Sequence, residues 1–286
     1  MRVILVPVAD RPECARALRV AFDLGKRLGA TIEGCHIRAH ARSPVSLSTE
    51  FSAIYYGESS KAANTAWRSK ASSKAAVAAR RMFADLADAN GYEMIRRPRA
   101  TPGAVWQEKV GAPDKLLRIM GPVSDLLVVS RPSEGGDVAR LFMMSALMES
   151  GRPVLILPQA GPARIAHRIL IAWNQSVEAA RAVAESMPLL QQADEVNVVS
   201  CGREDRVGPK SMQVVNYLKS WGVKAGHLNT RGIDIERELL ETYRKTNSDL
   251  VVMGAYSRAR WREVAFGGTT RHMLEKAKIP VLMLHT

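Results

Sequence analysis

The chain has 286 residues, 47% hydrophobic and 24% charged, a composition that suits a folded protein with room for two cores. Its formal net charge of +13 would suit a polyanion, but the charge is spread out, with no Lys/Arg block and no basic-aromatic interleaving, so nucleic acid is not the expected partner. Cys14, Cys35 and Cys201 are scattered and form no CxxC pair, which argues against a disulfide framework and a zinc site, and no apolar run nears the roughly 20 residues that span a bilayer.

Met1-Arg2-Val3-Ile4-Leu5-Val6-Pro7 enters a strand directly, too short an apolar run for a signal peptide, so a cytoplasmic protein is expected. A helix follows from Pro12 to Gly29, with Pro12 and Glu13 favoured in its first turn, and then a strand over 31–37. Further on, Tyr92 to Arg96 reads as a strand and Val105 to Met120 as a helix.

From residue 168 the pattern starts again. Arg168–Trp173 is a predicted strand and Ser176–Gln192 a helix that Pro188 should kink or end early. Strand 195–200, helix 207–221, strand 223–228 and helix 233–245 complete it. The ends match too: Ser124-Asp125-Leu126-Leu127-Val128-Val129 parallels Ser248-Asp249-Leu250-Val251-Val252-Met253, and Arg152-Pro153-Val154-Leu155 parallels Ile279-Pro280-Val281-Leu282. This is an internal repeat of domain size, divided at Pro158-Gln159-Ala160-Gly161-Pro162 into 1–160 and 161–286. Alternating strands and helices imply an α/β fold, each unit a parallel sheet with right-handed crossovers and helices on both faces.

Val3 to Asp125 is 122 positions and Ile169 to Asp249 only 80, so the first unit carries an insertion near 40–89. It reads either as a long loop with an extended helix covering the sheet, from about Ser60 to Ala89, or as a lid or partner surface.

Near the C-terminus, the apolar run Leu250-Val251-Val252-Met253 ends at Gly254, and Gly267-Gly268-Thr269-Thr270 opens a helix with Met273, Leu274 and Ala277 on one face. Glycines admit close backbone approach, and a helix start offers unpaired N–H groups and a favourable dipole to an anion. The same residues also read as a plain turn with a threonine N-cap.

The whole chain resembles a tandem universal stress protein of the two-domain type common in bacteria. That resemblance implies two Rossmann-like domains, each a five-stranded parallel sheet of order 3-2-1-4-5, and an adenine nucleotide, usually ATP, on a Gly-x2-Gly-x9-Gly-Ser/Thr motif. Gly254 and Gly267 match it; Ser257 stands where the family has glycine, and Gly268 where it has Ser/Thr, with Thr269 and Thr270 beyond. Asn174 replaces the family's acidic residue after the first strand. The first unit has neither glycine step, with Ser130-Arg131-Pro132 after its strand, and is expected to be a degenerate packing partner.

Ligands of open parallel sheets lie where the strand order reverses, at the carboxyl ends of the strands. The expected site therefore comprises Ala172, Trp173, Asn174, Val199, Met253, Gly254, Ser257, Gly267, Gly268, Thr269 and Thr270, with Mg²⁺ accompanying the phosphates. Trp173 either stacks on a base or packs against a helix. No nucleophile–base set, carboxylate pair or metal-spaced His/Cys set is present, so no catalytic residue is expected, and slow ATP or phosphate-ester hydrolysis is implied at most. Two readings follow: a nucleotide-binding regulator of the stress response, or a protein-interaction module with a vestigial pocket. In either, the repeat forms an intramolecular pseudo-dimer, with an unidentified protein partner or a second copy to be sought.

Overall fold

Short apolar runs and amphipathic segments alternate along the whole chain, and the computed structural model, which describes residues 1–9, 11–38, 73–132, 137–256 and 268–285, pairs them as strands and helices of an α/β fold. One compact unit comprises Met1–Arg152 with Gln159–Ala163; the other comprises Pro153–Pro158 with Arg164–Thr286.

The first unit holds β1 (Val3–Pro7), α1 (Pro12–Leu28), β2 (Thr31–Arg38), α2 (Ser73–Ala89), β3 (Met94–Ile95), β4 (Ala104–Val110), α3 (Pro113–Met120), β5 (Leu126–Ser130) and α4 (Asp137–Glu149). Its strands lie in the order β3-β4-β2-β1-β5, all parallel. Phe22 of α1, Phe83 of α2 and Trp106 of β4 join their rings in sequence, with centroids 5.7 and 5.4 Å apart.

The helix expected over 105–120 is instead a strand and a shorter helix. Ala104–Val110 pairs with β2 along its whole length, from Ile32 with Ala104 to Arg38 with Val110. Val105, Trp106 and Val110 favour extended backbone, and the helix waits for Pro113 at its first position. Most of the 40–89 insertion lies outside the described residues; its helix is seen from Ser73.

The second unit holds β6 (Val154–Leu157), β7 (Arg168–Trp173), α5 (Val177–Glu185), α6 (Met187–Leu190), β8 (Glu195–Cys201), α7 (Ser211–Ser220), β9 (Ala225–Thr230), α8 (Ile235–Lys245), β10 (Leu250–Gly254), α9 (Gly268–Glu275) and β11 (Val281–Leu284). Five parallel strands run β9-β8-β7-β10-β11, and β6 adds to the β11 edge in the antiparallel sense. Pro188 has no N–H to continue a helix, and the segment breaks at Ser186 between α5 and α6.

The repeat is visible in a polar detail. The Asp125 carboxylate before β5 accepts the amide N–H groups of Arg2 and Val3 at the foot of β1. Asp249, before β10, does the same for His167 and Arg168 at the foot of β7. Among the described residues no helix is long and apolar enough to cross a membrane.

Candidate functional site at the carboxyl edge of the second sheet

Strand register sets the floor of the site. Met253 of β10 pairs with Ala172 of β7, which pairs with Val199 of β8, so these three side chains form a row on one face of the sheet. Trp173 pairs with Ser200, one residue on, and both belong to the opposite face.

Of the two roles open to Trp173, packing is the one seen. The ring is 5% exposed and its Nε1–H donates to the Pro209 carbonyl at 2.8 Å. Asn174 is exposed, and its Oδ1 accepts the Ser176 N–H, tightening the turn into α5, where Ser176 caps the helix by accepting from Ala179 N–H. The residue between them was not anticipated. Gln175 has φ +60 and is buried; its amide donates to the Arg206 and Gly208 carbonyls and accepts the Arg206 N–H. It ties the end of β7 to the loop before α7.

Gly254 ends β10 for a packing reason. A β-carbon there would stand 2.5 Å from the Ala179 nitrogen and 2.7 Å from the Glu178 carbonyl carbon, so glycine is what lets α5 lie against the strand. In the first unit Ser130 holds the corresponding end of β5, and its hydroxyl donates to the Glu13 carbonyl of α1.

At the start of α9 the Thr269 hydroxyl donates to Glu236 Oε1 at 2.9 Å, and a β-carbon on Gly268 would lie 3.1 Å from the same oxygen. Thr270 is buried. Glu236 belongs to the first turn of α8, so that turn meets the first turn of α9. A groove of about 730 Å³ runs between the two helices, with Glu236, Arg237, Gly268, Arg271 and His272 in its walls. Arg237 and Arg271 are already bonded to Glu241 and Glu275.

Glu238, one turn into α8, sits in a bowl of donors. Its carboxylate accepts the N–H groups of Gly232, Ile233 and Asp234, at 2.7, 2.9 and 3.3 Å. The Thr230 hydroxyl beside it, followed by these amides, holds its pKa down to about 2. Burial pushes the Cys201 thiol up, against the Thr230 hydroxyl, and the Glu238 and Glu236 carboxylates add to the rise.

The structure thus assembles the strand-end residues into one edge and gives Gly268, Thr269 and Thr270 to the first turn of α9. Ser257 and Gly267 lie outside the described residues. Sequence reading missed Gln175, Glu236 and Glu238, because each acts on a partner fixed by tertiary packing. A readable signal existed for Glu238: Gly232 and Asp234 stand directly before an amphipathic helix with an acid in its opening turns. No group of three metal-ligating side chains occurs among the described residues.

A family model, the Universal stress protein family, matches residues 175–285. Comparison with curated proteins found no match. Among solved structures, a universal stress protein from Archaeoglobus fulgidus is 15% identical with a TM-score of 0.66, covering 99% of this chain and 97% of its own. A Pseudomonas aeruginosa protein described as a universal stress protein is also 15% identical, with a TM-score of 0.58 and coverage of 99% and 93%. A functionally unknown protein from the same species is 13% identical, with a TM-score of 0.56 and coverage of 99% and 92%. At these identities the structural likenesses establish the fold.

Proposed function

With residues 175–285 a universal stress protein domain, we propose that this protein binds an adenine nucleotide, ATP or a close relative, in its second unit and acts as a stress-response regulator rather than a fast enzyme. The observation that carries this reading is the first turn of α9, where Gly268 and Thr269 begin a helix beyond the carboxyl edge of the sheet. The base would lie toward the Met253–Ala172–Val199 row, and the phosphates, with accompanying Mg²⁺, toward Gly268 and Thr269. Trp173 takes no part in stacking, because its ring is buried and its N–H is spent. The first unit lacks the glycine step: Ser130 stands where the glycine would, and its hydroxyl is spent on the Glu13 carbonyl. Bound nucleotide would shift the population of one conformation over another.

The test is mass spectrometry of small molecules released by denaturing the freshly purified protein, beside a Gly268→Asp control that sets a second carboxylate against Glu236. About one nucleotide per chain, absent from the control, supports the reading. A protein that releases none and shows no thermal shift with millimolar ATP overturns it. One observation favours the alternative, an interaction module with a vestigial pocket: the Glu236 carboxylate already holds the Thr269 hydroxyl that a phosphate would need.

A further inference from the structure

Arg16, the fifth residue of α1, is 6% exposed. Its Nη2 donates to the Pro162 carbonyl at 3.2 Å, while Nε and Nη1 are buried with no hydrogen-bond partner. Segment Gln159–Ala163, itself largely exposed, lies over it: a β-carbon on Gly161 would stand 3.0 Å from both Nη atoms, and the backbone there has φ +134, so only glycine leaves the guanidinium its place. Arg181 is the fifth residue of α5, the corresponding helix of the second unit, and it is exposed. Burial of Arg16 is therefore particular to the first unit.

A second buried arginine stands at the end of β5. Helical side chains lean toward the helix N-terminus, where α1 starts at Arg11 with no side-chain cap, Pro12 has no N–H, and the Cys14 N–H is already taken by the Arg11 carbonyl. The bond from Ser130 to the Glu13 carbonyl seats the end of β5 beside that turn, and the next residue, Arg131, is also only 6% exposed. Burial lowers its pKa to about 10, which leaves it charged at neutral pH. The nearest acid along the helix, Glu13, pairs with Arg11 at 3.8 Å. The Arg16 guanidinium, buried with Nε and Nη1 unpaired, is strongly unfavourable as it stands, and this corner is where a ligand of a parallel sheet is expected, at the carboxyl ends of β1 and β5.

We infer that this corner of the first unit is an oxyanion site, in which Arg16 receives a phosphate group, free or on a small ester, beneath the Gln159–Ala163 segment. The three N–H bonds of Arg16 now without acceptors would go to its oxygens, with the Pro162 carbonyl giving way. The site is separate from the proposed nucleotide site and does not depend on it.

The experiment uses the full chain carrying Gly268→Asp, so that the second unit contributes no phosphate response. Inorganic phosphate and glycerol phosphate are titrated at constant ionic strength, following the melting temperature and the Nε–H signal of Arg16 in arginine-labelled protein. A saturable rise in melting temperature with movement of that signal is expected, the tighter of the two probes identifying the free or the esterified form. Arg16→Gln should weaken binding about thirtyfold or more, with Arg16→Lys retaining part of it. An unmoved Nε–H signal, no saturable response, or a response unchanged in Arg16→Gln would overturn the inference; the labelled-arginine signal decides it even if the glutamine variant fails to fold.

Discussion

The carboxylate of Asp249 stands 3.0 Å from the amide nitrogen of His167, joining the foot of β10 to the foot of β7. It also accepts the Arg168 N–H. Hydrogen bonds to a charged acceptor contribute more than neutral ones. Asp249→Asn, which keeps the shape and loses the charge, should destabilise the second unit by about 2 kcal/mol in urea denaturation. Asp125→Asn should do the same to the first unit, and a chain with both changes should lose the two contributions additively.

Gly254→Ala should destabilise by about 1–3 kcal/mol, the range for forcing an added carbon into a packed contact. The collision is with main-chain atoms of α5, which no rotamer change relieves. Thermal denaturation without ligand checks this. If Gly254 served only to admit a phosphate, the apo protein would keep its melting temperature.

Glu238 gives a pH signature. Its folded-state pKa lies near 2, below the ordinary 4.5, so its stabilisation is fully present above about pH 4.5 and is lost as the pH falls toward 2. The urea midpoint of the native chain should therefore drop through this window more steeply than that of Glu238→Gln. The variant should already be less stable at neutral pH. Parallel curves for the two proteins would show that the three amides do not discriminate the charged form.

Glu236 faces the helix start where the phosphates are proposed to sit. Two like charges about 4 Å apart in water repel by about 1 kcal/mol, so Glu236→Gln should raise the affinity for metal-free ATP about fivefold. With Mg²⁺ between the charges the gain should shrink. Calorimetry in the presence and absence of chelator measures both.

What the sequence shows of this molecule follows from what is local. The repeated Asp before an apolar run, the buried strands and the Pro188 break all depend on neighbours in the chain, and all were legible. The strand over 104–110 was not, because its apolar spacing also fits a helix face; pairing with β2 decides it. At the strand end, Gly254 stands out in the sequence as the close of an apolar run, but the nearness of Ala179 that requires a glycine there is something no spacing reveals. Glu236 likewise acquires its meaning only from Thr269, 33 positions away.

The placement of β6 has a practical consequence. Val154–Leu157 pairs with β11 in the second unit, while Gln159–Ala163, later in the chain, belongs to the first. No single cut separates the two. A fragment begun at residue 161 would leave the backbone of Val281, Leu282 and Met283 bare along an apolar rim, an open template for any other extended chain. A second unit expressed alone keeps β11 covered only if it begins before Pro153.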